Sequence, residues 1–142
     1  MDPDAPARHL FDRDPTVASF GIELVEAGPI GATVRMTVRP EMCNGYGMIH
    51  GGLTFLLADS AMAFASSGDN ETALATSAGI DWFAPARVGQ VLTATARRSG
   101  GGKKSVVWDV EVTAHDDDDN DSTTVAKFRG RTRKVGTPVL PE

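Results

Sequence analysis

One stretch of this chain is apolar almost without a break, and much of the rest alternates. Gly52–Ser66 reads Gly-Leu-Thr-Phe-Leu-Leu-Ala-Asp-Ser-Ala-Met-Ala-Phe-Ala-Ser. Its length and its Ala, Leu, Phe and Met content predict a helix, and a helix apolar on all sides is a buried one. Gly68-Asp69-Asn70 supplies the stop. Ahead of it, Ile22–Ala27 and Ala32–Arg39 read as strands joined through Gly28-Pro29-Ile30-Gly31. In the second strand Val34, Met36 and Val38 share one face and Thr33, Arg35, Thr37 and Arg39 the other. Beyond the helix the period is two throughout. Thr72–Phe83, Val91–Ser99, Lys104–His115 and Ser122–Lys134 read as strands, with Pro85 stopping the first and Ser99-Gly100-Gly101-Gly102-Lys103 forming a hairpin loop.

The remaining segments are less regular. His9–Ala18 predicts a short helix that Pro15 starts or interrupts, and Met42–Gly47 a loop. Residues 1–7 are rich in Pro and Asp and predict disorder; we place flexible tails at 1–8 and 136–142. One helix with five or six antiparallel strands gives an α+β domain, the sheet curling around a single central helix. The 142 residues fit one such domain, 1–142.

Composition narrows the function classes. No apolar run reaches the roughly 18 residues that span a bilayer, and Met1–Pro6 lacks the basic-then-apolar pattern of a signal peptide. A single cysteine, Cys43, excludes an intrachain disulfide and a cysteine-rich zinc site. We therefore expect a reduced, cytoplasmic protein without metal or cofactor. The net charge of −5 makes a poor non-specific partner for nucleic acid. It is uneven: Asp116–Asp119 and Asp121 form a solvated acidic loop, while Arg97-Arg98, Lys103-Lys104 and Lys127–Lys134 are basic.

Candidate chemistry sits on the apolar run. Asp59 is its only charge, and a carboxylate on a buried helix is costly unless it is paired or used. His50-Gly51-Gly52 leads into the same helix, where backbone N–H groups have no intrahelical partner. Such amides can stabilise an oxyanion, and glycine lets a ligand approach them. A carboxylate can act as general base or nucleophile. Together these are the components of acyl transfer.

Asn44-Gly45-Tyr46-Gly47-Met48-Ile49-His50-Gly51-Gly52, followed by Phe55, Leu57, Ala58 and Asp59, resembles the hotdog-fold acyl-CoA thioesterases, in particular the phenylacetic-acid-degradation (PaaI) type. Every fixed position of the pattern Asn-x-x-Gly-x-x-His-Gly-Gly-x-x-Phe-x-Leu-Ala-Asp is met. The likeness runs from about Asp14 to Arg133 and includes Ile80–Ala86 and Phe128–Arg131. It implies a hotdog fold, dimers with two sites at the interface, usually paired into tetramers, and hydrolysis of an aryl- or short- to medium-chain acyl-CoA. Residue by residue it implies catalytic roles for Asp59, Gly51, Asn44 and His50. Gly52, Phe55, Thr76 and Ser77 would contact substrate, and Lys103 and Lys104 would meet the coenzyme A phosphates. Two departures stand out: Gly-Gly-Gly-Lys-Lys where relatives often carry Arg after the glycines, and Ser66-Ser67 where they often have Cys-Asn.

Each of these residues also has a plainer reading. Asp59 could be a structural acid bonded to Ser60, Thr54 or a neighbour's backbone, His50 a loop support orienting Gly51, and Asn44 a turn residue. Thr76 and Ser77 could merely sit in a strand. The basic residues Arg97, Arg98, Lys103, Lys104, Arg129 and Arg131 could be a solvated face. Trp82 and Trp108 read as packing.

Helix geometry adds one inference. Gly51 and Asp59 are eight positions apart, about 12 Å along a helix. One reacting carbon must lie within about 3 Å of both groups. A single chain cannot arrange that, but a two-fold partner with an antiparallel helix can. Two other functions compete with hydrolysis: a hotdog hydratase or dehydratase using His50 as base, and a non-catalytic acyl-CoA-binding module.

Overall fold

The computed structural model describes residues 1–141. The strands are β1 (Glu23–Gly28), β2 (Gly31–Thr37), β3 (Glu71–Trp82), β4 (Val91–Gly101), β5 (Ser105–His115) and β6 (Thr123–Pro138). They form one antiparallel sheet in the order β1-β2-β4-β5-β6-β3. The helices are α1 (Ala5–Phe11), α2 (Pro15–Ser19) and α3 (Gly51–Ser66), with a short 3-10 turn at Pro40–Met42. None of the described helices is long and apolar enough to cross a membrane.

The alternation decides which face of the sheet is inside. Ala32, Val34 and Met36 of β2 and Val106, Trp108, Val110 and Val112 of β5 are buried together with Leu57, Ala58, Ala61, Met62, Phe64 and Ala65 of α3. Burying such side chains contributes on the order of 1.5–3 kcal/mol for each of the larger ones. The Trp108 indole N–H, which cannot go unbonded inside, donates to Thr132 Oγ1 at 2.9 Å. Trp108 is packing, as expected from its place in the alternation.

Two expectations are corrected at the ends of the chain. Residues 5–8 are not a loose tail but open α1, in which Pro6 and Ala7 are buried. The Arg8 guanidinium donates to the Leu24 carbonyl at 3.1 Å, and Phe11 packs edge-on against Phe64 with ring centroids 6.0 Å apart. Disorder was inferred from local composition, whereas these anchors lie far away in sequence. Pro15 does start α2, whose N-cap Asp14 accepts the Val17 N–H at 3.0 Å. At the other end, β6 continues to Pro138. Asn70, in the left-handed region at φ 61°, then holds the chain: its backbone carbonyl accepts from Val139 N–H and its side-chain amide exchanges two bonds with Leu140. Of the predicted tail 136–142, only Glu142 lies outside the described residues.

The helix is also not buried on all sides. Gly52 and Ala63 are exposed, and Leu53, Phe55, Leu56 and Asp59 are half-buried. Gly52, Leu56, Asp59 and Ala63 fall on one stripe, by the three- and four-residue spacing of helix neighbours. Edge strand β3 is open in the same way, with Leu74 60% and Trp82 54% exposed. The apolar composition of both elements is thus satisfied only in part within one chain.

Where α3 ends, Gly68 lies against the β1–β2 turn, and a methyl group there would overlap the Gly28 carbonyl. A Cβ at Gly28 would meet nothing within 4 Å. Gly68→Ala should therefore destabilise the fold by about 1–3 kcal/mol through overpacking, and Gly28→Ala by much less. Urea midpoints of the two variants check this; equal midpoints would contradict the packing.

Candidate active site

The site is built around the first turn of α3. His50 is the N-cap, with extended backbone, and its Nδ1 accepts the Gly52 N–H at 2.9 Å. That bond uses the Nδ1 lone pair, so the ring proton sits on Nε2. The His50 carbonyl accepts from Leu53 N–H at 2.9 Å and Thr54 N–H at 3.4 Å. Three of the first four amides of α3 therefore have acceptors. The Gly51 N–H has none among the described residues. It is a preorganised donor at the positive end of a 16-residue helix.

The loop before it is fixed by Asn44. Its Oδ1 accepts from Tyr46 N–H at 2.9 Å and Met48 N–H at 3.3 Å, and its own N–H donates to the Met48 carbonyl at 2.7 Å. Cys43 and Ile49 bridge the loop's base. Asn44 thus does the work of a turn residue with its oxygen, while its side-chain N–H groups donate to nothing among the described residues. A depression of about 330 Å³ opens beside it, lined by Asn44, Met48, Gly51, Thr54, Trp82 and Phe83 among others.

Asp59 stands two turns further along α3. It makes no hydrogen bond or ion pair among the described residues; Ser60 Oγ donates instead to the Leu56 carbonyl at 2.8 Å. The plain reading of Asp59 as an acid bonded to Ser60 is therefore removed. Asp59 is half-buried rather than buried. Desolvation alone still pushes its carboxyl above the ordinary value of 3.8, because nothing nearby compensates the charge.

The other predicted residues fall into two groups. Gly52 and Phe55 lie on α3 close to Gly51, with Phe55 edge-on to Phe128 at 5.1 Å. Thr76, Ser77, Lys103 and Lys104 do not join Gly51 in the same chain. Thr76 and Ser77 sit mid-way along β3, six and five residues before Trp82, which touches Gly51. At about 3.4 Å per residue that is roughly 17–20 Å. Thr76 Oγ1 donates to the Arg131 carbonyl at 3.3 Å. The Lys103-Lys104 loop lies at the opposite end of the sheet: Ser105 pairs with Arg133, which pairs with Leu74, whereas Val112 pairs with Ala126, which pairs with Trp82. Of the other basic residues, Arg129 is occupied by Asp109 in a two-pronged contact of 2.7 and 3.1 Å that holds the Asp109 carboxyl below the ordinary value. Arg98 reaches the Gly102 carbonyl. No group of three or more His, Cys, Asp and Glu among the described residues is arranged to hold a metal ion.

Trp82 is the residue that sequence reasoning misplaced. It reads as packing, yet it is half exposed and its indole N–H donates to the Gly51 carbonyl at 3.2 Å. Nothing in the spacing of residues 80–86 signals a contact across 31 positions.

Residues 46–120 match the family model of the thioesterase superfamily. The acyl-coenzyme A thioesterase PaaI of Escherichia coli strain K12 is 34% identical over 136 residues, covering 96% of this chain and 94% of that protein. The chain belongs to the thioesterase superfamily. Its fold is the hotdog fold: the structure of the E. coli PaaI protein from the phenylacetic acid degradation operon superposes with a TM-score of 0.88 at 32% identity, covering 96% of this chain and 99% of that one. Human acyl-coenzyme A thioesterase 13 is 32% identical over 94 residues, 65% of this chain and 67% of that protein. Within this thioesterase chain the matched segment holds the Gly51 amide and Asp59 together with the hairpin and Asp116–Asp119.

The raised carboxyl fixes a sign for stability. A folded-state value above the unfolded one favours the protonated acid, so that contribution is full below about pH 3.8 and is lost as pH rises through the raised value. Asp59→Asn should accordingly match wild type in stability near pH 3 and exceed it at pH 7. Urea midpoints across that range check this; a variant less stable at pH 7 would show that the carboxylate is held by a favourable partner.

Proposed function

We propose that this chain hydrolyses acyl-CoA thioesters, with an oxyanion amide from one protomer and a carboxylate from its partner in each site. The observation that carries the reading is the pairing of unsatisfied groups on one helix: a free Gly51 N–H and an Asp59 carboxylate without a donor. The Gly51 N–H binds the carbonyl oxygen of the thioester as charge develops on it. As base, Asp59 takes a proton from water, whose oxygen bonds to the thioester carbon; the C–S bond breaks, and the thiolate takes that proton as free coenzyme A while the acid is released. As nucleophile, its own oxygen bonds to that carbon as the thiolate leaves and takes up a proton, and water then cleaves the acyl-aspartyl anhydride to free acid and Asp59. The reaction on this reading needs no cofactor. His50 supports it by position: with Nδ1 engaged by Gly52, the ring orients the amide turn. That engagement favours hydrolysis over a hydratase relying on His50 as base.

Helix geometry and open surface support a dimer. Gly51 and Asp59 lie about 12 Å apart on a rigid helix. The half-exposed stripe of α3 and the open edge of β3 are apolar surfaces that an antiparallel second copy would cover. In such a pair the Lys103-Lys104 loop of one chain lies at the Gly51 end of the other, where it suits the phosphates of coenzyme A. A tetramer and a cytoplasmic setting rest on the family resemblance and composition. For the acyl group we propose an aryl or short- to medium-chain unit. The apolar lining of the depression by Met48, Trp82 and Phe83 supports this, as does the PaaI relative.

Free-thiol release from a panel of aromatic and aliphatic acyl-CoAs tests the reading. Wild type should turn over at least one of them, and Asp59→Asn should lose roughly 10²–10⁴ in rate while binding substrate normally. No release from any member, with binding intact, would move the protein to the acyl-CoA-binding class.

A further inference from the structure

The Gly51–Gly52 peptide unit is held at both of its polar groups. Its N–H is taken by His50 Nδ1 at 2.9 Å, and its carbonyl accepts the indole N–H of Trp82 at 3.2 Å. The two anchors come from different places: His50 is local, whereas Trp82 is the last residue of edge strand β3. The Trp82 ring also lies against the glycine itself, since a Cβ at Gly51 would be 3.2 Å from ring atoms Cε2 and Nε1. The backbone that carries the ring is in turn held by the sheet. Trp82 pairs with Ala126 in β6, and the next residue, Phe83, donates to the Val125 carbonyl at 2.8 Å.

We infer that Trp82 is a positioning residue for the oxyanion amide: its indole N–H and ring lock the glycine turn so that the Gly51 N–H points at the reacting carbonyl. This rests on the proposed role of the Gly51 N–H. Glycines have the widest backbone freedom of any residue, and two stand in succession here. The Gly51 N–H lies in the His50–Gly51 plane, whose carbonyl accepts from the Leu53 and Thr54 N–H groups; the Trp82 bond holds the plane on the other side of the Gly51 Cα, so the glycine cannot unwind from the first turn and carry its N–H off target. Misplacement of about 1 Å is enough to cost a large factor in rate. The ring also covers one side of the peptide, reducing the water that would compete for the amide. No charge or covalent step is assigned to Trp82.

The test uses the full-length protein with two replacements of different severity. Trp82→Phe keeps an aromatic ring but loses the N–H and part of the surface. Replacing Trp82 with 3-benzothienylalanine keeps the ring shape and removes only the donor. Both should lower kcat roughly ten- to hundredfold with KM within about twofold, less than the ~10²–10³ expected for losing an oxyanion donor outright. Amide hydrogen exchange at Leu53 and Thr54 should speed up in both, and light scattering should give the wild-type mass. A benzothienyl variant with wild-type kcat, or with unchanged exchange at these amides, overturns the inference, as does a kcat loss accompanied by dissociation. Asp59→Asn, run alongside, separates the two readings. If it is inactive while the Trp82 variants are fully active, only the positioning role falls. If wild type itself releases no thiol, the hydrolytic reading falls and takes this one with it.

Discussion

A rigid helix sets the terms for everything else in this molecule. Gly51 and Asp59 stand on α3 two turns apart, one offering a bare N–H and the other an unpaired carboxylate. A 16-residue helix packed against a sheet cannot bend to bring them together. Each group is awkward where it stands. Burial raises the carboxyl of Asp59, and neither group finds a hydrogen-bond partner among the described residues. Groups kept under such conditions are the ones expected to meet a ligand.

The fold arranges the rest around that separation. The inner faces of β2, β4, β5 and β6 bury one side of α3. The other side, carrying Gly52, Leu56, Asp59 and Ala63, stays open. β3 leaves its outer edge unpaired, and Trp82 at its end reaches Gly51. The strand with the open edge is therefore also the one that bonds to the Gly51 carbonyl. The basic hairpin at Lys103-Lys104 lies at the far end of the sheet, where it serves nothing in its own chain's first turn of α3. An antiparallel pairing resolves all three features at once.

Much of this was legible in the residues. The alternation of Val34, Met36 and Val38, and of Val106 through Val112, marks buried faces that the sheet confirms. The uninterrupted run around Asp59 marks α3 to within one residue at its start. The motif from Asn44 to Asp59 marks the family. What failed were inferences that needed tertiary partners. Residues 5–8 look disordered because their anchors, Leu24 and Phe64, are distant in sequence. The C-terminal segment is held by Asn70 across 70 positions. Asp59 looks fully buried because an apolar helix is assumed to be covered by its own chain, whereas one stripe of α3 is left open. Trp82 looks like packing because periodicity assigns a face and not a hydrogen bond.

The central claim is that each site draws on two chains, and subunit complementation tests it most directly. Gly51→Pro removes the donor at the first helical position, whose backbone suits proline although the Trp82 ring, 3.2 Å from a Cβ there, must shift, and Asp59→Asn removes the carboxylate. Each variant alone should be nearly inactive. Co-refolded in equal amounts, half the dimers are mixed and each mixed dimer holds one intact site of two, so about a quarter of wild-type activity should return. Mass analysis that finds mixed dimers, together with no recovered activity, would place both groups of each site in one chain and contradict the account.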